Sequence, residues 1–142
     1  MRGMKTTLLI LLSLSAVITV ASAQAPDTRV FELRTYHTAT PAKLEALHAR
    51  FRNHSNRLLQ KHGMTLIGFW VPTDPDKGSA DTLVYLVAHK NREAARASWA
   101  AFGADPEWVR AKAESEQASG GGSLTTKVES VFMSPTDYSA MK

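Results

Sequence analysis

Glu32, Arg34 and Tyr36 alternate along the segment Arg29–Tyr36, R-V-F-E-L-R-T-Y. In a strand, successive side chains point to opposite faces, so Val30, the acid, the guanidinium and the phenol share one face while Phe31, Leu33 and Thr35 share the other. A carboxylate beside a guanidinium forms a charge-assisted pair that stays ionised in a closed interior. A phenol or an imidazole can exchange a proton with a small polar ligand. Two later segments offer more of this chemistry. Thr82–His89, T-L-V-Y-L-V-A-H, sets Leu83, Tyr85, Val87 and His89 on one face, and Met64–Val71, M-T-L-I-G-F-W-V, sets Leu66, Gly68 and Trp70 on one face. Brought together, Glu32, Arg34, Tyr36 and Trp70 would line a ligand pocket with Tyr85 and His89 as its acid–base groups. The plainer reading makes Glu32–Arg34 a salt bridge and the aromatics packing.

His54 is the other candidate. It comes one helical turn after Phe51 within an apolar stripe and is expected to face the sheet, where it could bind a ligand, ligate haem, act as a base or simply hydrogen-bond a neighbour. No metal site is expected: His37, His48, His54, His62 and His89 include no H-x-x-x-H or H-x-H pair. Cysteine is absent, which removes thiolate chemistry and disulfides. There is no G-x-S-x-G elbow, phosphate-cradling glycine loop or dinucleotide fingerprint. No cofactor is called for. Trp99 and Trp108, at helical spacing beside Phe102, read as core or as the walls of a flat-ligand site.

These residues need elements to hold them. Residues 1–23 have the pattern of a cleaved signal peptide: Arg2 and Lys5, an apolar run Thr7–Val20, then Ala21-Ser22-Ala23. The apolar run is shorter than the roughly 20 residues that span a bilayer, so no membrane anchor is expected after cleavage. Residues 24–142 then form one domain. Removing Arg2 and Lys5 reduces the formal charge of +4 to +2, and with no basic run this excludes a nucleic-acid partner.

After the first strand, Thr40-Pro41 caps a helix whose Leu44, Leu47, Phe51 and Leu58 recur on one side through to Lys61, and Gly63 stops it. Met64–Val71 is a strand, Pro72–Asp81 an exposed hairpin loop, and Thr82–His89 its antiparallel neighbour. Asn91 caps a second helix over Arg92–Phe102, interrupted at Gly103 and restarted at Asp105-Pro106, with Trp108, Val109 and Ala113 inward. Gly120-Gly121-Gly122-Ser123 reads as a flexible connector to a last strand, Leu124–Met133.

The order βαββαβ is the ferredoxin-like unit, an α+β fold whose antiparallel four-stranded sheet carries two helices on one face. The other face needs a partner if Leu66, Trp70, Leu83, Tyr85 and Val87 lie on it, so a homodimer is expected, with the Glu32, Arg34 and Tyr36 face in its interior. Several motifs, in order, carry a resemblance. F-E-L-R-T-Y at 31–36, H-G-M at 62–64, G-F-W at 68–70, R-E-A at 92–94, D-P-E-W at 105–108 and F-M-S-P-T-D-Y at 132–138 together resemble the NIPSNAP family.

The resemblance implies the dimeric α+β barrel fold and a place near antibiotic-biosynthesis-type monooxygenases and haem-degrading enzymes. Family members are better known from mitochondrial and cytoplasmic settings, whereas the leader points to a periplasmic or secreted protein. The expected function is an exported homodimer binding a small hydrophobic or aromatic ligand. A cofactor-independent oxygenase or isomerase step is the associated chemistry, with Tyr85 or His89 moving protons and Arg34 holding an anion. The alternatives are a non-catalytic interaction or stress-related protein and, third, a haem-binding protein using His54.

Overall fold

The computed structural model describes residues 29–142, so the leader lies outside the described residues. The elements are β1 (Val30–Thr38), α1 (Pro41–Arg50), a π-helical turn (Phe51–Ser55), α2 (Asn56–Lys61), β2 (Thr65–Trp70), a 3₁₀ turn (Pro75–Lys77), β3 (Thr82–His89), α3 (Arg92–Ala104), α4 (Pro106–Ala118) and β4 (Thr125–Met133). One antiparallel sheet has the order β2-β3-β1-β4, the ferredoxin-like arrangement. Among the described residues no helix is long and apolar enough to cross a membrane.

The starts of α1, α3 and α4 are set by their capping residues. Thr40 Oγ1 accepts from Lys43 N, Asn91 Oδ1 from Ala94 N and Asp105 Oδ1 from Glu107 N, each satisfying an orphan first-turn donor. Gly63, at φ +84°, ends α2 in the left-handed conformation that glycine adopts freely. Asp105 also accepts from Lys61 Nζ and His62 Nε2, both at 2.7 Å, which ties the start of α4 to the end of α2. The helix after Pro41 is not uniform: the π-helical turn over Phe51–Ser55 inserts a residue and rotates α2 relative to α1. Leu44, Leu47 and Phe51 before and within it, and Leu58 and Leu59 after it, all reach the core.

Three local expectations are corrected. α3 runs through Gly103 to Ala104. On α4 it is Trp108, Ala111 and Ser115 that turn inward, one turn apart, whereas Val109 is 55% exposed and Ala113 is also exposed. The Gly120–Gly122 connector is a built turn, with all three glycines at positive φ, Gly121 N donating to Glu116 O, and Lys43 Nζ donating to Gly121 O and Ser123 O.

The largest correction concerns the sheet faces. Leu83, Tyr85 and Val87 are at most 2% exposed and pack with Leu47, Phe51, Leu58 and Phe102 of the helices. Cross-strand pairing puts Glu32 opposite Val87, Arg34 opposite Tyr85 and Tyr36 opposite Leu83, so this polar row also lies beneath the helices rather than on the open face. The apolar side chains of α1, α2 and α3 require the large apolar residues of β3, and register carries the β1 row with them.

A bulge at Ile67 splits β2. Leu66 pairs with Val87 and Phe69 with Tyr85 on the helix side, while Gly68 and Trp70 pair with Leu86 and Val84 and face the open side. Trp70 is 52% exposed, and its ring covers Gly68 so closely that a Cβ there would lie 2.6 Å from it. Leu33, Thr35, Val84, Leu86 and Val131 share the open face, and the C-terminal tail crosses one end of it over Phe31 and Leu86.

Leu47→Ala is expected to destabilise the fold by about 2–5 kcal/mol, and Val109→Ala to leave it within about 0.5 kcal/mol. Urea unfolding of both variants measures the contrast, which would disappear if Val109 faced the core.

Candidate functional site

One carboxylate organises the helix-side interior. Glu32 is 1% exposed. Its Oε1 accepts from Arg34 Nη1 and Ser130 Oγ, both at 2.7 Å. Its Oε2 accepts from Trp99 Nε1 at 2.6 Å and His89 Nε2 at 2.9 Å. Two donors per oxygen leave a carboxylate well satisfied. Burial pushes the Glu32 carboxyl up, but the donors from His89, Ser130, Trp99 and Arg34 outweigh it and hold the group at about 2. Since an ionised carboxylate only accepts, His89 must donate from Nε2, which leaves Nδ1 as its second polar atom. That Nδ1 is buried and meets no hydrogen-bond partner among the described residues.

Beside this network lies a cleft of about 340 Å³, bounded by Glu32, Arg34, Ser130 and Phe132 of the sheet and by Arg92, Arg96 and Trp99 of α3. It exists because the helices cover β2, β3 and β1 and leave the edge strand β4 largely open on this side, where Val128 is 45% exposed. Arg34 stacks over Trp99 with its guanidinium carbon 4.2 Å from the ring centroid, and Arg92 over Phe132 at 3.6 Å. A row of hydroxyls continues inward. Arg34 Nη2 donates to Tyr36 Oη at 3.3 Å, and Tyr85 Oη donates to the same atom at 2.9 Å.

Glu32, Arg34, Tyr36, Tyr85 and His89 therefore do come together, beneath the helices. Tyr85 is a core aromatic stacked on Phe69 and edge-on to Phe51 and Tyr36. Burial, with Tyr36 beside it, pushes its phenol well above the ordinary range, so it stays protonated. Trp70 is apart from them on the open face.

His54 is likewise apart. It does not face the sheet: it sits in the groove between α1 and α4, with Nδ1 4.0 Å from Glu107 Oε1, because the π-helical turn rotates it towards α4. Among the described residues no group of three or more His, Asp or Glu side chains is placed to hold a metal ion.

Sequence reasoning missed Ser130, Phe132, Arg92 and Arg96, and left Trp99 undecided. A signal was present, since Arg92, Arg96 and Trp99 are spaced four and three apart and so lie on one side of a helix. Ser130 and Phe132 alternate like Glu32 and Arg34, and β1–β4 pairing sets them opposite those two.

Because the folded-state carboxyl of Glu32 lies below its ordinary value of 4.5, its contribution to stability is complete above about pH 4.5 and is lost as pH falls towards 2. The amount is of the order of 3 kcal/mol. Urea unfolding across this range is expected to show Glu32→Gln less stable than the native chain at neutral pH, with the difference shrinking on acidification. Trp99→Phe, which removes one donor to the carboxylate, is expected to cost about 1–3 kcal/mol at neutral pH in the same assay.

The profile of the NIPSNAP family matches residues 31–140. Among solved structures, a NIPSNAP family protein of unknown function from Agrobacterium tumefaciens superposes with a TM-score of 0.68 at 19% identity, covering 83% of this chain and 97% of that one. An uncharacterized NIPSNAP-like domain protein from Burkholderia xenovorans gives 0.65 at 18%, covering 80% and 90%. A second Agrobacterium tumefaciens NIPSNAP family protein gives 0.65 at 19%, covering 80% and 99%. No curated protein matches the chain. At these identities the structures share its fold, and with a family profile spanning most of its length the chain belongs to the NIPSNAP family.

Proposed function

We propose that this chain is a homodimeric small-molecule-binding protein whose ligand, with an apolar or aromatic body, enters the cleft between α3 and the β1–β4 edge. The carrying observation is the cleft itself: about 340 Å³ of open space whose floor is the ordered Glu32–Arg34–Trp99–Ser130 network. That volume is in the range of small-ligand sites, and a floor already locked by hydrogen bonds loses little entropy when a ligand arrives. Pairing through the open sheet face is supported by Trp70, Val131 and Met133, which are 52%, 55% and 38% exposed on a largely apolar surface with Leu33, Val84 and Leu86. The partner-facing set differs from that expected from sequence, since Leu83, Tyr85 and Val87 belong to the core.

Binding is better supported than catalysis because Glu32 is fully engaged by donors and Tyr85 is held protonated. A proton-transfer step, of the cofactor-independent oxygenase or isomerase kind, would fall to His89, oriented through Nε2 by Glu32 and with Nδ1 unpartnered among the described residues. Haem ligation by His54 has no support in the geometry, because that side chain lies in the α1–α4 groove. Export is supported by the charged, apolar and small-residue pattern of residues 1–23. N-terminal sequencing of protein from the source cells is expected to begin at Gln24.

Native mass spectrometry of the protein purified from its own host is expected to report a dimer carrying retained small molecule, and Ser130→Trp, which fills the cleft from an exposed edge strand, to lose that molecule while remaining dimeric. The neutral fluorophore N-phenyl-1-naphthylamine is expected to bind saturably to the native dimer and not to the Ser130→Trp variant. Monomer alone at micromolar concentration would overturn the dimer. Equal probe binding by both forms would overturn the site.

A further inference from the structure

We infer that the ligand of the α3–β4 cleft is an organic anion, its oxyanion held by Arg92 and Arg96. The inference rests on the cleft being the binding site and adds the chemical class of what binds there. Three guanidinium groups and one carboxylate line the cleft, an excess of two positive charges in a small space. Glu32 is already counted in that excess, and its two oxygens are taken by Arg34, Ser130, His89 and Trp99, so it leaves no acceptor for Arg92 or Arg96.

Elsewhere the arginines are partnered. Arg29 donates to a main-chain carbonyl, and Arg34, Arg50, Arg52, Arg57 and Arg110 each face a glutamate. Among the arginines of the described residues, Arg92 and Arg96 are the two whose side chains make neither a hydrogen bond nor an ion pair within the chain. Both project from one side of α3 into the same cleft. Arg92, moreover, is the first residue of its helix, where the macrodipole is positive and a cation is disfavoured, so the placement is not explained by helix stability.

The geometry also prepares Arg92 for recognition. Its guanidinium carbon lies over Phe132, 3.6 Å from the ring centroid. Contact with the ring face restrains the guanidinium while leaving its N–H groups available, and their fork matches the spacing of two oxygens on a carboxylate, sulfonate or phosphate. The cleft, of about 340 Å³ and walled by Trp99 and Phe132, leaves room for one or two rings attached to the oxyanion.

Two fluorophores that share an aryl-naphthylamine body separate charge from apolar binding: 1-anilinonaphthalene-8-sulfonate, which is anionic, and N-phenyl-1-naphthylamine, which is neutral. The native dimer is expected to bind the sulfonate more tightly, with an affinity that falls as sodium chloride rises. Arg92→Gln with Arg96→Gln is expected to weaken the sulfonate at least about tenfold and to leave the neutral probe unchanged. Both side chains are exposed, so thermal unfolding should be preserved. Arg92→Lys with Arg96→Lys, which keeps charge and loses the planar fork, is expected to lie between. Competition by benzoate and by phenyl phosphate distinguishes a carboxylate from a phosphate ligand. Neutral-probe binding with no advantage for the sulfonate, or a sulfonate affinity unmoved in the glutamine variant, would overturn this inference and leave the cleft as a site. Failure of both probes to bind would overturn the site and the inference together.

Discussion

The structure depends on solving the problem of one buried acid. An ionised carboxylate moved away from water is tolerated only when donors replace its hydration. Glu32 recruits them from β1, β3, α3 and β4 through Arg34, His89, Trp99 and Ser130. A single side chain thereby fixes how the first helix after β3 sits on the sheet and where the edge strand lies against it. The cleft beside α3 has its shape because these distances are set by hydrogen bonds rather than by packing alone.

The same network divides the helix-side interior into two regions of different character. Towards β2, Phe51, Phe69 and Tyr85 form an aromatic cluster with centroid separations of 5.2–5.6 Å. Towards β4, the interior is charged, and its aromatic rings serve as platforms for guanidinium groups. Tyr36 stands at the boundary, touching Phe51 with its ring and receiving Arg34 and Tyr85 at its hydroxyl. Charged groups are thus gathered on the side where the helical layer ends, and the other side is held by aromatic and aliphatic packing.

The element order, the caps of α1, α3 and α4 and the stop at Gly63 were legible in the sequence because they are local. Thr40-Pro41, Asn91 and Asp105-Pro106 each declare a helix within a few residues. The co-facial set Glu32, Arg34, Tyr36, Tyr85 and His89 was legible too, since alternation within strands and antiparallel register determine it. Which face that set occupies was not, because alternation identifies two faces without saying which the helices cover. The apolar β3 row was the stronger guide than the polar β1 row. His54 was misplaced, and Trp70, although on the open face as expected, was wrongly grouped with Leu66 and the Glu32 set, for a related reason: the π-helical turn and the Ile67 bulge each insert a residue into a regular period, and neither leaves a mark that composition reveals. Arg92 and Arg96 were overlooked because exposed arginines on a helix ordinarily read as solvated surface.

The span of the Glu32 network along the chain sets an order of assembly. The carboxylate waits for His89, 57 residues later, Trp99, 67 later, and Ser130, 98 later. Contacts between such distant positions carry the largest loop-closure cost and form late. Until β4 arrives, Glu32 lacks the Ser130 donor and keeps access to water through the gap that strand will edge. The acid is therefore sealed only when the last strand of this sheet docks, and a chain emerging N-terminus first keeps the sheet unfinished until that strand is free.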